Sequence, residues 1–138
     1  MKHTFSLLLA ITLFSLSFKS YSQEVNITTA TIEYGTWITD PKFDNHWEMS
    51  GPPTEFISLF KISKAHTTLT HITDDRKSVY FIDDNYYNED KNRLELEVTS
   101  DTGNGYTGII DDRNENIRFI YEEGDTLKLV RYAFKKVW

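Results

Sequence analysis

Adjacent carboxylates recur along the chain, and we consider four pairs of them first because of their potential for chemistry. Two carboxylates placed on either side of a glycosidic bond can act as acid and base in its hydrolysis. Each pair falls in a predicted turn or at a strand end, where acidic residues are favoured because they hydrogen-bond the local backbone. We therefore interpret the pairs as solvated turn residues. They are Asp74-Asp75, Asp83-Asp84, Asp111-Asp112 and Glu122-Glu123.

Histidines and nucleophiles give no pattern typical of a catalytic or metal site. His66 and His71 are five residues apart, so on one strand they would face opposite sides. The sequence has no cysteine, no His-x-His, no His-Glu-x-x-His and no Gly-x-Ser-x-Gly. The segment DTGNGYTG, Asp101–Gly108, has the composition of a calcium loop without its spacing or its distal glutamate. We expect no enzymatic activity, no metal and no cofactor.

Aromatic side chains are abundant, with 3 Trp, 8 Tyr and 9 Phe. Burying one side chain of this size contributes about 1.5–3 kcal/mol, so we expect most of them to form a core. Some could instead line a cavity, where Arg131 and Tyr132 would offer a cation and a hydroxyl to a ligand. Neighbouring strand residues point to opposite faces, so only one of these two faces inwards unless a bulge intervenes.

Alternating hydrophobicity predicts that β-strands position these side chains. In RLELEVTS, for example, Leu94, Leu96 and Val98 alternate with polar residues. Segments rich in Asp, Asn and Gly separate most of the strands, and no helical period follows residue 22. The last strand changes phase near Leu129-Val130, where we expect a β-bulge. The predicted strands are Ile32–Thr39, Phe56–Ile62, Thr67–Thr73, Ser78–Ile82, Leu94–Thr99, Thr107–Asp111, Ile117–Tyr121 and Thr126–Phe134.

This pattern predicts an all-β fold, an antiparallel up-and-down β-barrel of about eight strands. A barrel of that size holds either packed side chains or one small ligand. Two polar segments, Asp83–Asn92 and Asp40–Pro53, are expected to be irregular connections.

A short motif in the first predicted strand supports the barrel. The segment IEYGTWITDP contains Gly35 and Trp37 as Gly-x-Trp, which resembles the opening signature of lipocalin-like β-barrels. The resemblance implies that the tryptophan closes one end of the barrel beneath an arginine, in a cation–π contact. Arg131 is the candidate because the last strand of such a barrel pairs with the first. The chain lacks the later lipocalin motifs, their disulfides and the helix that follows their barrel.

The N-terminal segment predicts export. A basic start precedes the apolar run Phe5–Phe18, which is too short to span a bilayer, and Ser20 and Ser22 offer the small residues of a cleavage site. We expect residues 1–22 to be a signal peptide and residues 23–138 to be a single β-barrel domain, secreted or periplasmic. Without a cysteine, no lipoprotein anchor and hence no membrane anchor is expected.

The charge of the chain bears on its partners. The whole chain has a net charge of −6, and removal of residues 1–22 takes away two lysines and no acid. An acidic surface disfavours nucleic acids and anionic membranes, because affinity for phosphate depends on Lys and Arg. A basic protein partner remains compatible with it.

These observations lead to a first functional prediction. The chain is expected to be an exported, monomeric, non-enzymatic protein that holds a small apolar or amphipathic molecule in its barrel. Trp37 and Arg131 would close one end, and Phe60, Phe119 and Tyr132 would line the interior.

A protein-binding module is the alternative prediction, such as a periplasmic inhibitor or an immunity protein against a secreted toxin. Tyr86, Tyr87 and Trp47 lie in segments expected to be exposed, and Tyr and Trp are enriched in interface hot spots. A structural subunit of a surface assembly is a third possibility, for which the sequence offers no specific sign.

Overall fold

The computed structural model describes residues 23–40, 42 and 44–138. The described residues form strands and turns and no helix, so the all-β prediction is confirmed. Within these ranges there is accordingly no helix with the length and hydrophobicity to cross a membrane. The predicted signal peptide, residues 1–22, lies outside them. The strands are β1 (Val25–Ile38), β2 (His46–Met49), β3 (Thr54–Ile62), β4 (Thr68–Ile72), β5 (Lys77–Asn88), β6 (Arg93–Ser100), β7 (Gly105–Asp111), β8 (Asn116–Glu123) and β9 (Thr126–Val137).

The sheet closes on itself as a barrel. From β3 to β9 each strand pairs antiparallel with the next, and β9 returns to pair with β1. Strands β2 and β3 both run along the other edge of β1, where Met49 lies opposite Gly35 and Thr54 opposite Ile32. They occupy one position of the barrel, interrupted by residues 50–53, which include two prolines without an N–H to donate. The predicted eight-stranded, antiparallel up-and-down barrel is therefore confirmed.

The barrel has a basal end and an apical end. At the basal end β1 begins and the chain finishes, and the Asn26 and Trp138 backbones exchange N–H···O bonds of 2.7 and 2.8 Å. At the apical end β1 leads into β2, and the turns β6–β7 and β8–β9 lie there too.

Several details of the strand predictions are wrong, and the first is that β1 begins at Val25 and not at Ile32. Strand β2 forms inside the segment expected to be irregular, and β5 runs on to Asn88 past a register shift between Ile82 and Asp84. That shift turns Tyr87 inwards opposite Leu94, which extends the core through a polar sequence. The irregularities of β9 occur between Ala133 and Lys136 and not at Leu129-Val130.

Leu129 points out of the barrel, but neighbouring residues cover it there, so no bulge is needed to bury it. It is 2% exposed and lies opposite Gly35 on β1 and Ile120 on β8. A Cβ on Gly35 would lie 3.5 Å from Leu129 Cδ2 and 2.8 Å from Met49 Sδ. The glycine of the Gly-x-Trp motif thus lets Met49 and Leu129 cover the outside of β1.

The middle of the barrel is filled by a group of aromatic rings. Phe60 is fully buried, with its ring centroid 5.0 Å from that of Tyr132 and 5.8 Å from that of Phe119. His71 stacks on Phe60 with the ring planes parallel and the centroids 4.1 Å apart. A Cβ on Gly108 would lie 3.3 Å from Phe119 Cε1, so this glycine makes room for the phenyl ring.

The tight contact at Gly108 predicts a stability effect. Gly108→Ala should lower the free energy of unfolding by about 1–3 kcal/mol, because Phe119 is already held between other rings and has little room to move. Urea unfolding followed by fluorescence measures it. Gly105→Ala is the matched control, since a Cβ there meets no atom within 4 Å. Equal stability of the two variants would contradict a packed centre.

Candidate functional site

The structure does not bring Trp37 and Arg131 together. Arg131 lies opposite Glu33 on the outer wall, and its Nε donates a hydrogen bond of 2.8 Å to Glu33 Oε2. Glu33 is four residues from Trp37, about 13 Å along an extended strand. Trp37 instead packs edge-on against Trp47, with centroids 5.1 Å apart. The predicted closure of one end by this pair is therefore not formed, because Tyr132 faces inwards and its neighbour Arg131 must face outwards.

Phe60, Phe119 and Tyr132 do come together, as the centre of the core. Burial raises the pKa of the Tyr132 hydroxyl and lowers the pKa of the neighbouring His71 to about 4. His71 Nε2 is buried without a hydrogen-bond partner among the described residues. The rings contact one another directly, so ligand binding by these three residues stays a prediction.

A small apolar pocket lies at the basal end. Its volume is about 20 Å³, enough for roughly one water molecule. Its polar side chains are Asp112 and Tyr87, and the Tyr87 hydroxyl donates a hydrogen bond to Asn92 Oδ1. Its apolar lining consists of Val25, Ile27, Ile62, Leu94, Ile110, Phe134 and Val137.

Asp111 and Asp112 differ from the solvated turn residues that the sequence indicated. Asp111 is 2% exposed, and burial by itself raises its pKa. Hydrogen bonds from Asn114 and Arg118 outweigh this effect, so the pKa of Asp111 lies below its usual range. Asp112 has no such compensation: burial first, then the charges of Asp111 and Glu115, raise its pKa to about 7. The turn places Asp112 against the basal pocket, which partly buries a carboxyl that its sequence context marks as exposed.

The raised pKa of Asp112 predicts a pH-dependent stability effect. Above about pH 7 the Asp112 carboxylate is charged in the folded protein although its surroundings disfavour the charge. Between about pH 4 and pH 7 the folded state binds a proton on Asp112, whereas the unfolded state, in which the pKa is 3.8, does not. Asp112→Asn should therefore stabilise the protein by about 2–4 kcal/mol at about pH 8. The gain should shrink as the pH falls towards about 4.

Urea unfolding of both proteins across this pH range measures the difference. His71 also makes stability depend on pH: because its pKa is lowered in the folded state, the protein loses stability as the pH falls from 6.5 to about 4. Both proteins contain His71, so this effect cancels in the difference between them. A gain that is the same at every pH would contradict the assignment to the Asp112 charge. Asp90→Asn, in an exposed turn at the same end, is the control.

A much larger cleft lies at the apical end, between β7 and β8. The ladder between these strands extends from Asp111↔Asn116 only as far as Thr107↔Ile120, so Gly105 and Tyr106 have no partner on β8. The β6–β7 and β8–β9 hairpins consequently separate towards their tips. The space between them measures about 690 Å³, within the range of about 300–1,000 Å³ found for small-molecule sites.

The apical cleft combines an aromatic floor with an acidic rim. Tyr106 and Tyr121 contact each other edge to face at 5.6 Å, and Tyr80 supports Tyr106 from the core at 5.7 Å. Apolar surface comes from Ile120 and Leu127. The carboxylates at the cleft are Asp83, Glu97, Glu122 and Glu123.

No basic side chain lines this cleft among the residues that the structure places. Thr107 Oγ1 donates a hydrogen bond of 3.2 Å to Glu97, and Thr99 donates one to Asp83, so two of the carboxylates are oriented by neutral groups. Burial, followed by Glu123, Tyr106 and Tyr34, raises the pKa of the Tyr121 hydroxyl. The cleft therefore offers aromatic and apolar surface in a negative electrostatic potential.

Sequence reasoning missed the cleft. The sequence indicates Asp83, Glu122 and Glu123 as turn residues and Glu97 as part of the polar face of a strand, and it does not single out Tyr106. The only local signal is Gly105-Tyr106 after a polar turn, and this does not reveal where the β7–β8 ladder stops.

Comparisons with protein-family models, with curated proteins and with solved structures find no match to this chain. The closed eight-strand antiparallel barrel is consistent with a calycin-like fold. A barrel of this kind is compatible with a binding protein.

Proposed function

We propose that this chain is an exported, monomeric, non-enzymatic binding protein that takes a small amphipathic molecule in the apical cleft. The observation that carries the proposal is the opening of about 690 Å³ where β7 and β8 part, floored by Tyr106 and Tyr121. Export rests on the signal-like pattern of residues 1–22.

The cleft is favoured over the barrel interior by volume. Phe60 and its neighbours occupy the middle of the barrel, and the basal pocket has room for roughly one water. Contacts between rings continue from Tyr121 through Tyr106 and Tyr80 to Phe119. In this proposal Phe119, Phe60 and Tyr132 hold the cleft tyrosines in place, a supporting role in contrast to the lining role predicted from the sequence.

A binding role without catalysis is favoured by the positions of the acids. The carboxyl whose pKa is raised furthest, Asp112, lies in the basal pocket at the opposite end from the cleft. That pocket has no room for a substrate, and a general acid or base must lie within hydrogen-bond reach of the group it serves.

Filling the cleft should abolish binding. Gly105 lines the cleft and a Cβ there meets no atom within 4 Å, so Gly105→Trp should place an indole in the opening without disturbing the core. Gly51→Trp is the matched control, because Gly51 also has free space and lies outside the cleft. Gly103 and Gly124 are unsuitable, since their φ values of 93° and 66° disfavour any side chain.

Calorimetric titration with octyltrimethylammonium, 1-octanol and octanoate provides the measurement. At least one of the three should bind to the wild type and to Gly51→Trp with a stoichiometry of one. Binding to Gly105→Trp should be about tenfold weaker or absent. The proposal is wrong if none of the three binds to the wild type, or if Gly105→Trp binds as well as the control.

A protein-binding function is the second candidate, and a different surface favours it. Alternation and register place five apolar residues on the outer wall of β3, β4 and β5, which we call the β3–β5 face: Ile57, Leu59, Ile72, Val79 and Phe81. Ile57 is 49% exposed and Phe81 is 51% exposed. Contiguous exposed apolar surface of this kind often marks a protein interface.

Of the aromatic residues that the sequence suggested for a protein interface, only one is highly exposed. Tyr86 is 61% exposed, whereas Tyr87 lines the basal pocket and Trp47 packs on Trp37. If the β3–β5 face binds a protein, the double variant Ile57→Thr, Phe81→Thr should lose a stoichiometric partner that the wild type retains in pull-downs from its native host. Tyr34→Ser, which removes an exposed aromatic elsewhere, should keep it.

A further inference from the structure

We infer that the ligand of the apical cleft is an amphipathic organic cation, an ammonium or protonated amine attached to an apolar chain. The inference rests on the proposed function and adds the sign of the ligand's charge to it. Three features of the cleft support it: carboxylates that take part in none of the ion pairs of the described chain, an aromatic floor and an apolar wall.

The ion pairs of the barrel all involve acids that lie outside the apical cleft. The ion pairs of the described chain are Arg93–Glu95, Arg118–Asp111 and Arg131–Glu33, with N···O distances of 2.7, 3.0 and 2.8 Å. Their acids are on the outer wall and in the β7–β8 turn, and none of them lines the cleft. A pocket lined by one sign of charge raises the local concentration of ligands of the opposite sign.

Those carboxylates surround a floor that is suited to a cation. The rings of Tyr106 and Tyr121 are inclined at 66°, so they form two walls of a corner instead of a parallel stack. Tyrosine rings attract ammonium groups through their negative faces, and this attraction is stronger where water is partly excluded. An ammonium group in this corner would contact both rings in the cleft that the rim acids also line.

An apolar chain has its own surface in the same cleft. Ile120 and Leu127 belong to β8 and β9, so apolar side chains flank the opening on the side of this hairpin. A simple inorganic cation would leave this surface unused. Among the residues described, no group of three or more potential metal ligands is arranged to hold a metal ion.

Anionic and neutral amphipaths fit less well. A carboxylate head group would be placed among Glu97, Glu122 and Glu123 with no Lys or Arg in the lining to receive it. A neutral alcohol would contact the apolar wall but would gain no electrostatic attraction to the carboxylates of the rim. The order of affinity should therefore be cation, then alcohol, then anion.

The three octyl compounds test this order directly because they share one chain. Octyltrimethylammonium should bind to the wild type about tenfold more tightly than 1-octanol, and octanoate should bind most weakly. Raising the salt from about 0.05 M to about 0.5 M should weaken binding of the cation and leave that of the alcohol nearly unchanged.

Variants separate the rim charge from the cavity. The double variant Glu122→Gln, Glu123→Gln should reduce affinity for the cation several-fold and leave the affinity for 1-octanol unchanged. Glu89→Gln removes an exposed carboxylate at the basal end and should change neither.

The outcomes distinguish this inference from the function on which it rests. Equal binding of the alcohol and the cation, or tightest binding of octanoate, would overturn the inference and leave a ligand-binding cleft. Binding of the cation that is the same in the rim double variant would also overturn it. Failure of all three compounds to bind would overturn the proposed function together with the inference.

Discussion

The pairing of β9 with β1 is the constraint on which the rest of this structure depends. It joins the first and the last strand in one ladder, from Lys128↔Thr36 to Val137↔Ile27, and the Asn26–Trp138 bonds extend it by one more step. An open sheet of these strands would expose two edges and one side of its aromatic residues. Closure buries Phe60 and Tyr132 against each other and makes inside and outside unambiguous for every strand.

Closure also determines where space can exist. The middle of a barrel of this width is filled once phenylalanine and tyrosine side chains point inwards, and here they stack with a histidine that burial keeps neutral. Space is therefore found where the ladder is incomplete. At the basal end the strands remain paired and little is left, whereas at the apical end β7 and β8 part beyond Thr107 and Ile120. The cleft results from an unfinished ladder in an otherwise closed sheet.

The distribution of charge follows the same division. On the paired wall, acids and bases on neighbouring strands are held close enough to form ion pairs, as Glu33 and Arg131 do. At the separated hairpins, acids such as Glu122 and Glu123 face a gap in place of a neighbouring strand. Four of the acids thus lie around one opening, where they can affect what binds.

Strand alternation, which is a local property, determined much of this protein from the sequence alone. The buried positions of β6, the order of the strands and the closed antiparallel barrel all follow from period-two hydrophobicity and short polar turns. Tertiary structure alone decided the rest. Arg131 pairs with Glu33 because of strand phase, Asp112 is partly buried because its turn places it against the basal pocket, and the cleft opens because one ladder ends early. Each of these depends on register between residues distant in the chain, which a single strand's pattern does not specify.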